Sequence, residues 1–101
     1  MASKESTVQI LTEYPDKIAF AYLRWKARES KTRQLEAKKY MSLKAEAADK
    51  KVTEAHLGRC LDEDKEVYKA RLRVILAESR HMRLYEKLMS AKKLSDIRTA
   101  Y

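Results

Sequence analysis

His56 and Cys60 stand four residues apart, the spacing that puts two metal ligands on one face of a helix, and Asp62 and Asp64 follow closely. Imidazole and thiolate are zinc donors, but a zinc centre normally takes three or four defined protein ligands, and nothing else in the chain completes such a motif. No metal is therefore expected, and Cys60 reads as a small buried hydrophobe. As the only cysteine, it excludes an internal disulfide and fits a reducing compartment. His81, among basic and apolar neighbours, reads as a surface or boundary residue, with no Ser, Cys or Asp pattern for it to activate. A phosphate-cradling loop needs several glycines, and Gly58 is the only one. The expectation is a protein that is not an enzyme and carries no cofactor.

The chemistry that remains is electrostatic. The net charge is +8 and the pI near 9.6, a balance that favours an anionic partner such as nucleic acid or a membrane surface. Residues 24–51 hold ten lysines and arginines against four acidic residues, and residues 67–95 hold eight against two. At 100° per residue, Arg24, Arg28, Lys31, Lys38 and Lys39 share one helical stripe, and Lys69, Arg73, Arg80, Arg83 and Lys87 share another. Such stripes suit a phosphate backbone without base-specific readout. Solvated surface charge is the competing reading. Tyr22, Trp25, Tyr40, Tyr68 and Tyr85 lie on or beside the apolar lines described next, so packing is their expected use, which leaves Tyr14 and Tyr101 to stack on bases.

With one Gly and one Pro in 101 residues, the elements that carry these side chains must be helices. Ser6 with Gln9 forms a capping-box pattern for a short helix over residues 1–14, and Pro15 suits the first position of a long basic helix over 15–48. Residues 49–61 read as a connection, in which Thr53 caps a short helix weakened by Gly58. The acidic run DEDKE then opens a second long helix over 62–93, where carboxylates face the positive end of the dipole. Ser95 caps a last turn within 94–101. The core line of the first long helix is Ile18, Tyr22, Trp25, Tyr40, Leu43 and Ala47, interrupted by Glu29 and Glu36. That of the second is Tyr68, Leu72, Ile75, Met82 and Met89, interrupted by Ser79 and Glu86 and widened by Val67, Val74, Tyr85 and Leu88. The fold class is all-α, one domain over 1–101, built on an antiparallel hairpin of two long helices with short flanking helices. Broken seams in so short a chain predict a ring-like or bundled homo-oligomer.

Two stretches carry a resemblance. LEAKKYMSLKA at Leu35 to Ala45, then a connection, then LDEDKEVYKA at Leu61 to Ala70, is similar to the UvsY family of phage recombination mediators. YLRW at Tyr22 to Trp25 also has a counterpart there, so the resemblance covers roughly residues 18–90. It implies an all-helical, ring-like homo-oligomer that binds single-stranded DNA and contacts a single-strand-binding protein and a RecA-like recombinase, loading the second in place of the first. Where that family has Lys-Ala-Arg associated with strand binding, this chain has Lys44-Ala45-Glu46, so only Lys44 carries the role over.

The expected function is thus that of a single-stranded-DNA-binding recombination mediator, acting in the cytoplasm, that of the host cell if the chain is phage-encoded. The expected contacts are Arg24, Arg28, Lys31, Lys38, Lys39, Lys44, Arg73, Arg80, Arg83 and Lys87. The alternative is a small basic helical phage adaptor or inhibitor that binds a protein and no DNA. No run of 18 apolar residues or signal-peptide core occurs, so no membrane span and no export are expected. A membrane-surface helix is disfavoured, since the basic faces lack a broad Phe/Leu face.

Overall fold

The computed structural model describes residues 6–48 and 51–100, the last three by backbone alone. It is all-helical: α1 is Thr7–Glu46, α2 is Glu54–Glu63 and α3 is Lys65–Ala100, with no strand among the described residues. The expected caps form. Ser6 Oγ accepts the Gln9 N–H at 3.1 Å, and Thr53 Oγ1 accepts the His56 N–H at 3.2 Å. Each satisfies an amide that the first helical turn leaves without a partner.

The element boundaries differ from the sequence reading in three places. The helix does not restart at Pro15, which lies inside α1. A proline there removes one backbone bond and costs about 3 kcal/mol in isolation. Burial of Ile10 and Tyr14 on one side of it and Ala21 on the other outweighs that cost and carries the helix through. The acidic run does not lie within one helix. Asp62 and Glu63 end α2, while Asp64 caps α3 by accepting the Glu66 and Val67 N–H groups at 2.9 and 3.1 Å on Oδ1. Ser95 starts no new turn, since it sits half-buried within α3. Of the expected connection, Asp49 and Lys50 lie outside the described residues, as does Tyr101.

Contacts divide the chain into two compact units, Met1–Trp25 with Ala77–Tyr101, and Lys26–Leu76. In the first, α1 and α3 run antiparallel around Ile10, Tyr14, Leu88 and Ala91, with Leu11, Ile18 and Leu84 packed against them. Tyr14 is buried, which removes it as a stacking candidate. Lys17 and Lys87 lie over its ring, 5.0 and 5.3 Å from the centroid. Trp25 meets Tyr22 edge-on at 5.9 Å and His81 at 5.6 Å. His81 is therefore a seam residue, its Nδ1 buried with no hydrogen-bond partner among the described residues.

In the second unit, α1 and α3 again run antiparallel, and Val67 is fully buried. Thr32 is buried in the seam, its hydroxyl 2.7 Å from the Arg28 carbonyl and 3.4 Å from that of Ala70 across the pair. The polar break in the seam of α1 is thus made by Thr32 beside half-buried Arg28; Glu29 and Glu36 stand on one flank. In α3 the sheltered line runs Val67, Ala70, Val74, Ala77, His81, Leu84, Leu88, Ala91. Tyr68, Leu72, Ile75 and Met82 are exposed, as are Tyr22 and Tyr85, so these side chains lie outside the intrachain core. The physical reason is size: alanines at the seam let two helices approach closely, and the bulkier side chains are displaced to the flank.

Candidate nucleic-acid interface

The seam of the second unit is flanked by two grooves of different electrical character. On one side, Arg28, Lys31, Thr32 and Leu35 of α1 face Ala70 and Arg73 of α3 around a groove of about 340 Å³. No acidic side chain lines it. Arg28 is half-buried, Lys31 and Arg73 are exposed, and none of the three is held in an ion pair among the described residues. Three like charges around one groove repel one another until an anion shares them, and two of them are guanidinium forks suited to a phosphate. Thr32, Leu35 and Ala70 complete the lining.

On the other side the cations are neutralised. Glu29 pairs with Lys26 at 3.8 Å and Arg33 at 2.9 Å. Arg71 donates from Nε to Glu36 at 3.2 Å and from Nη1 to Asp62 at 2.7 Å. Glu29, Arg33, Glu36 and Arg71 rim a groove of about 380 Å³ that Val74 and Ile75 help to line. The helical arithmetic explains the division: residues 28, 31 and 35 fall on one flank of the position of Thr32, and residues 29, 33 and 36 on the other.

The remaining basic residues fall into distinct places. Lys39 is tied to Asp64 at 3.4 Å and to Glu66 at 3.5 Å, where it braces the start of α3. The Asp64 carboxyl is held below its ordinary value, first by the Val67 N–H and then by Lys39, against the opposing effect of burial. Lys39 is held above its own, chiefly by its hydrogen bond with Asp64. Three of the DEDKE acids, Asp62, Asp64 and Glu66, are thus engaged within the chain through Arg71 and Lys39. Lys38 and Lys44 are exposed, as is Lys69, and none of them joins the groove lining. Arg24, Arg80, Arg83 and Lys87 belong to the first unit, all exposed, with the Arg83 Nε 3.5 Å from the Ser79 carbonyl and Lys87 against Tyr14.

Of the expected contacts, then, Arg28, Lys31 and Arg73 are brought together. Thr32 and Ala70 were not anticipated, and the signal for them is the pairing of small residues across the seam. The Cys60 Sγ lies 3.6 Å from His56 Nε2, and Cys60 is half-buried where a small buried side chain was expected. No helix among the described residues is long and apolar enough to cross a membrane. Comparison with protein-family models, curated proteins and solved structures found no match.

Proposed function

We propose that the chain binds single-stranded DNA through its phosphates at the Arg28, Lys31 and Arg73 groove and acts as a recombination mediator of the UvsY kind. In this reading it works as a homo-oligomer that helps a RecA-like recombinase onto DNA covered by single-strand-binding protein. The observation that supports it is a groove lined by three cations and no acid, on a chain with a net charge of +8. One groove makes few phosphate contacts, and several copies in one assembly would multiply them at high effective concentration. No aromatic or amide side chain lines the groove to read bases beside the two guanidinium groups, and phosphate contacts carry no sequence information, so tolerance of sequence is expected.

Fluorescence anisotropy with a labelled oligo(dT) strand, a mixed-sequence strand and a duplex tests the binding step. Comparable affinity for the two single strands, weaker affinity for the duplex and steep loss with salt are expected. No detectable binding at low salt would overturn the reading. It would leave the protein adaptor, which the exposed apolar side chains Tyr68, Leu72, Ile75 and Leu76 favour. Loading is tested separately, as faster recombinase filament formation on strands already covered by single-strand-binding protein.

A further inference from the structure

We infer that the Ile75 flank of the second unit is the contact surface for a second copy of this chain, the two copies antiparallel and related by a two-fold axis. The inference deepens the proposed function, resting on its self-association and not on DNA binding. Its first support is charge balance. The ion pairs of this flank set Lys26, Arg33 and Arg71 against Glu29, Glu36 and Asp62, so the flank is neutral on a chain whose net charge is +8. Two such chains repel one another, and the Arg28, Lys31 and Arg73 groove repels a copy most directly. A neutral flank with apolar side chains is where they can meet. Tyr68, Leu72 and Ile75 are exposed on that side of α3, at the four-then-three spacing of a helix contact line. Together they present roughly 300 Å² of side chain, the size of patch that is often functional.

The second support is the order of the charges. Along α1 the flank reads plus, minus, plus, minus at Lys26, Glu29, Arg33 and Glu36. About the midpoint, position 31, an antiparallel copy brings Lys26 opposite Glu36 and Glu29 opposite Arg33, each pairing made twice. A parallel copy in register sets like charges opposite each other. The apolar row obeys the same axis. The Thr32 hydroxyl lies 3.4 Å from the Ala70 carbonyl across the seam, which puts position 31 level with about position 71 of α3. The midpoint between Tyr68 and Ile75 falls within about 1 Å of that level along the helix. The axis therefore turns Tyr68 toward Ile75 of the second copy and brings the two Leu72 side chains together. Two patterns on different helices share one centre, which a two-fold contact needs and a head-to-tail ring does not. The charges, already paired within each copy, fix orientation more than affinity, and burial of the apolar row supplies the attraction. Both cationic grooves stay open on the outer sides of the pair.

The test is sedimentation equilibrium of the full chain without DNA, so that a failure to pair and a failure to bind a strand are read separately. A two-copy species, or an even-numbered assembly of such pairs, is expected at micromolar concentration. Leu72→Glu sets two carboxylates against each other at the axis and should weaken pairing at least about tenfold. Leu72 is exposed within the chain, so that variant keeps its helicity, which circular dichroism checks. Glu29→Arg and Arg33→Glu each set like charges opposite one another and should each weaken pairing several-fold. An equimolar mixture of these two variants should restore it, because the arginine introduced in one chain faces the glutamate introduced in the other. A folding defect in either variant gives no such rescue. A monomer at high micromolar concentration would overturn the contact and leave the flank to a different protein. A closed assembly of odd copy number would also overturn it, as would a mixture no tighter than its components. So would a Leu72→Glu affinity within about threefold of the parent.

Discussion

Val67 and Ile75 stand eight residues apart in α3, and replacing each with alanine separates the buried seam from the exposed flank. Val67 is 0% exposed and Ile75 is 56% exposed. Val67→Ala removes two methyl groups, worth about 1.6 kcal/mol at about 0.8 kcal/mol each. A residual cavity adds up to about 1 kcal/mol if the neighbours do not close in. A loss of about 2 kcal/mol corresponds to a fall in Tm of roughly 8 to 16 °C in a domain of this size. Ile75→Ala vacates a site already in water, so its intrinsic cost should stay within about 0.5 kcal/mol. If the Ile75 flank joins copies of the chain, that variant should instead lose stability in a way that depends on protein concentration. Urea unfolding followed by circular dichroism, across a dilution series, reads both effects. The seam assignment fails if Val67→Ala costs less than about 0.5 kcal/mol. It also fails if Ile75→Ala costs more than Val67→Ala at every concentration.

The groove makes a second prediction. Each phosphate contact contributes about 0.7 to the log-log salt slope for a single strand, so combined Gln replacement of Arg28, Lys31 and Arg73 should lower the slope by up to about 2, measured by anisotropy. Lys39→Ala should leave that slope alone and lower the urea midpoint, because its ammonium braces Asp64 and Glu66. Acid should reveal the same brace. Asp64 has a lowered folded value, so its contribution is present above the unfolded value and is lost as pH falls through the folded one, below the ordinary carboxylate range. Asp64→Asn keeps a capping side chain but cannot ionise, and should flatten the acid limb of a urea midpoint against pH curve. Finally, a Cβ on Gly58 would meet nothing within 4 Å, so Gly58→Ala should stabilise α2 by about 0.5 to 1 kcal/mol, seen as a higher urea midpoint.

The parts of this architecture that depend on local chemistry were legible in the sequence. Ser6 and Thr53 cap helices because a side-chain oxygen two or three residues upstream of a bare N–H binds it in any setting. Pro15 misled because its local penalty is outweighed by burial of Ile10 and Tyr14, which only the partner segment of α3 provides. The seam of α3 was missed by following the largest side chains, Tyr68, Leu72, Ile75 and Met82. The sheltered line alternates steps of three and four without a break, but alanine and histidine occupy four of its eight positions and dilute its hydrophobicity. The basic stripes followed from helical spacing alone. That Arg28 and Lys31 face Arg73, and that Lys39 faces Asp64, depends on the pairing register between helices, and no local pattern encodes it.

The two flanks of the second unit also differ in how they answer to ionic strength. At physiological salt the Debye length is about 8 Å, and the advantage of an unneutralised cationic groove fades steeply as salt rises. The opposite flank is rimmed by acids and bases already paired and backed by Val74 and Ile75, so attraction there is chiefly apolar and nearly indifferent to salt. Salt is then a selective solvent variable for this molecule: on the proposed function it would release a polyanion from one flank and leave any apolar partner seated on the other. A complex that kept such a partner while shedding its strand at high salt would be the consequence of this division.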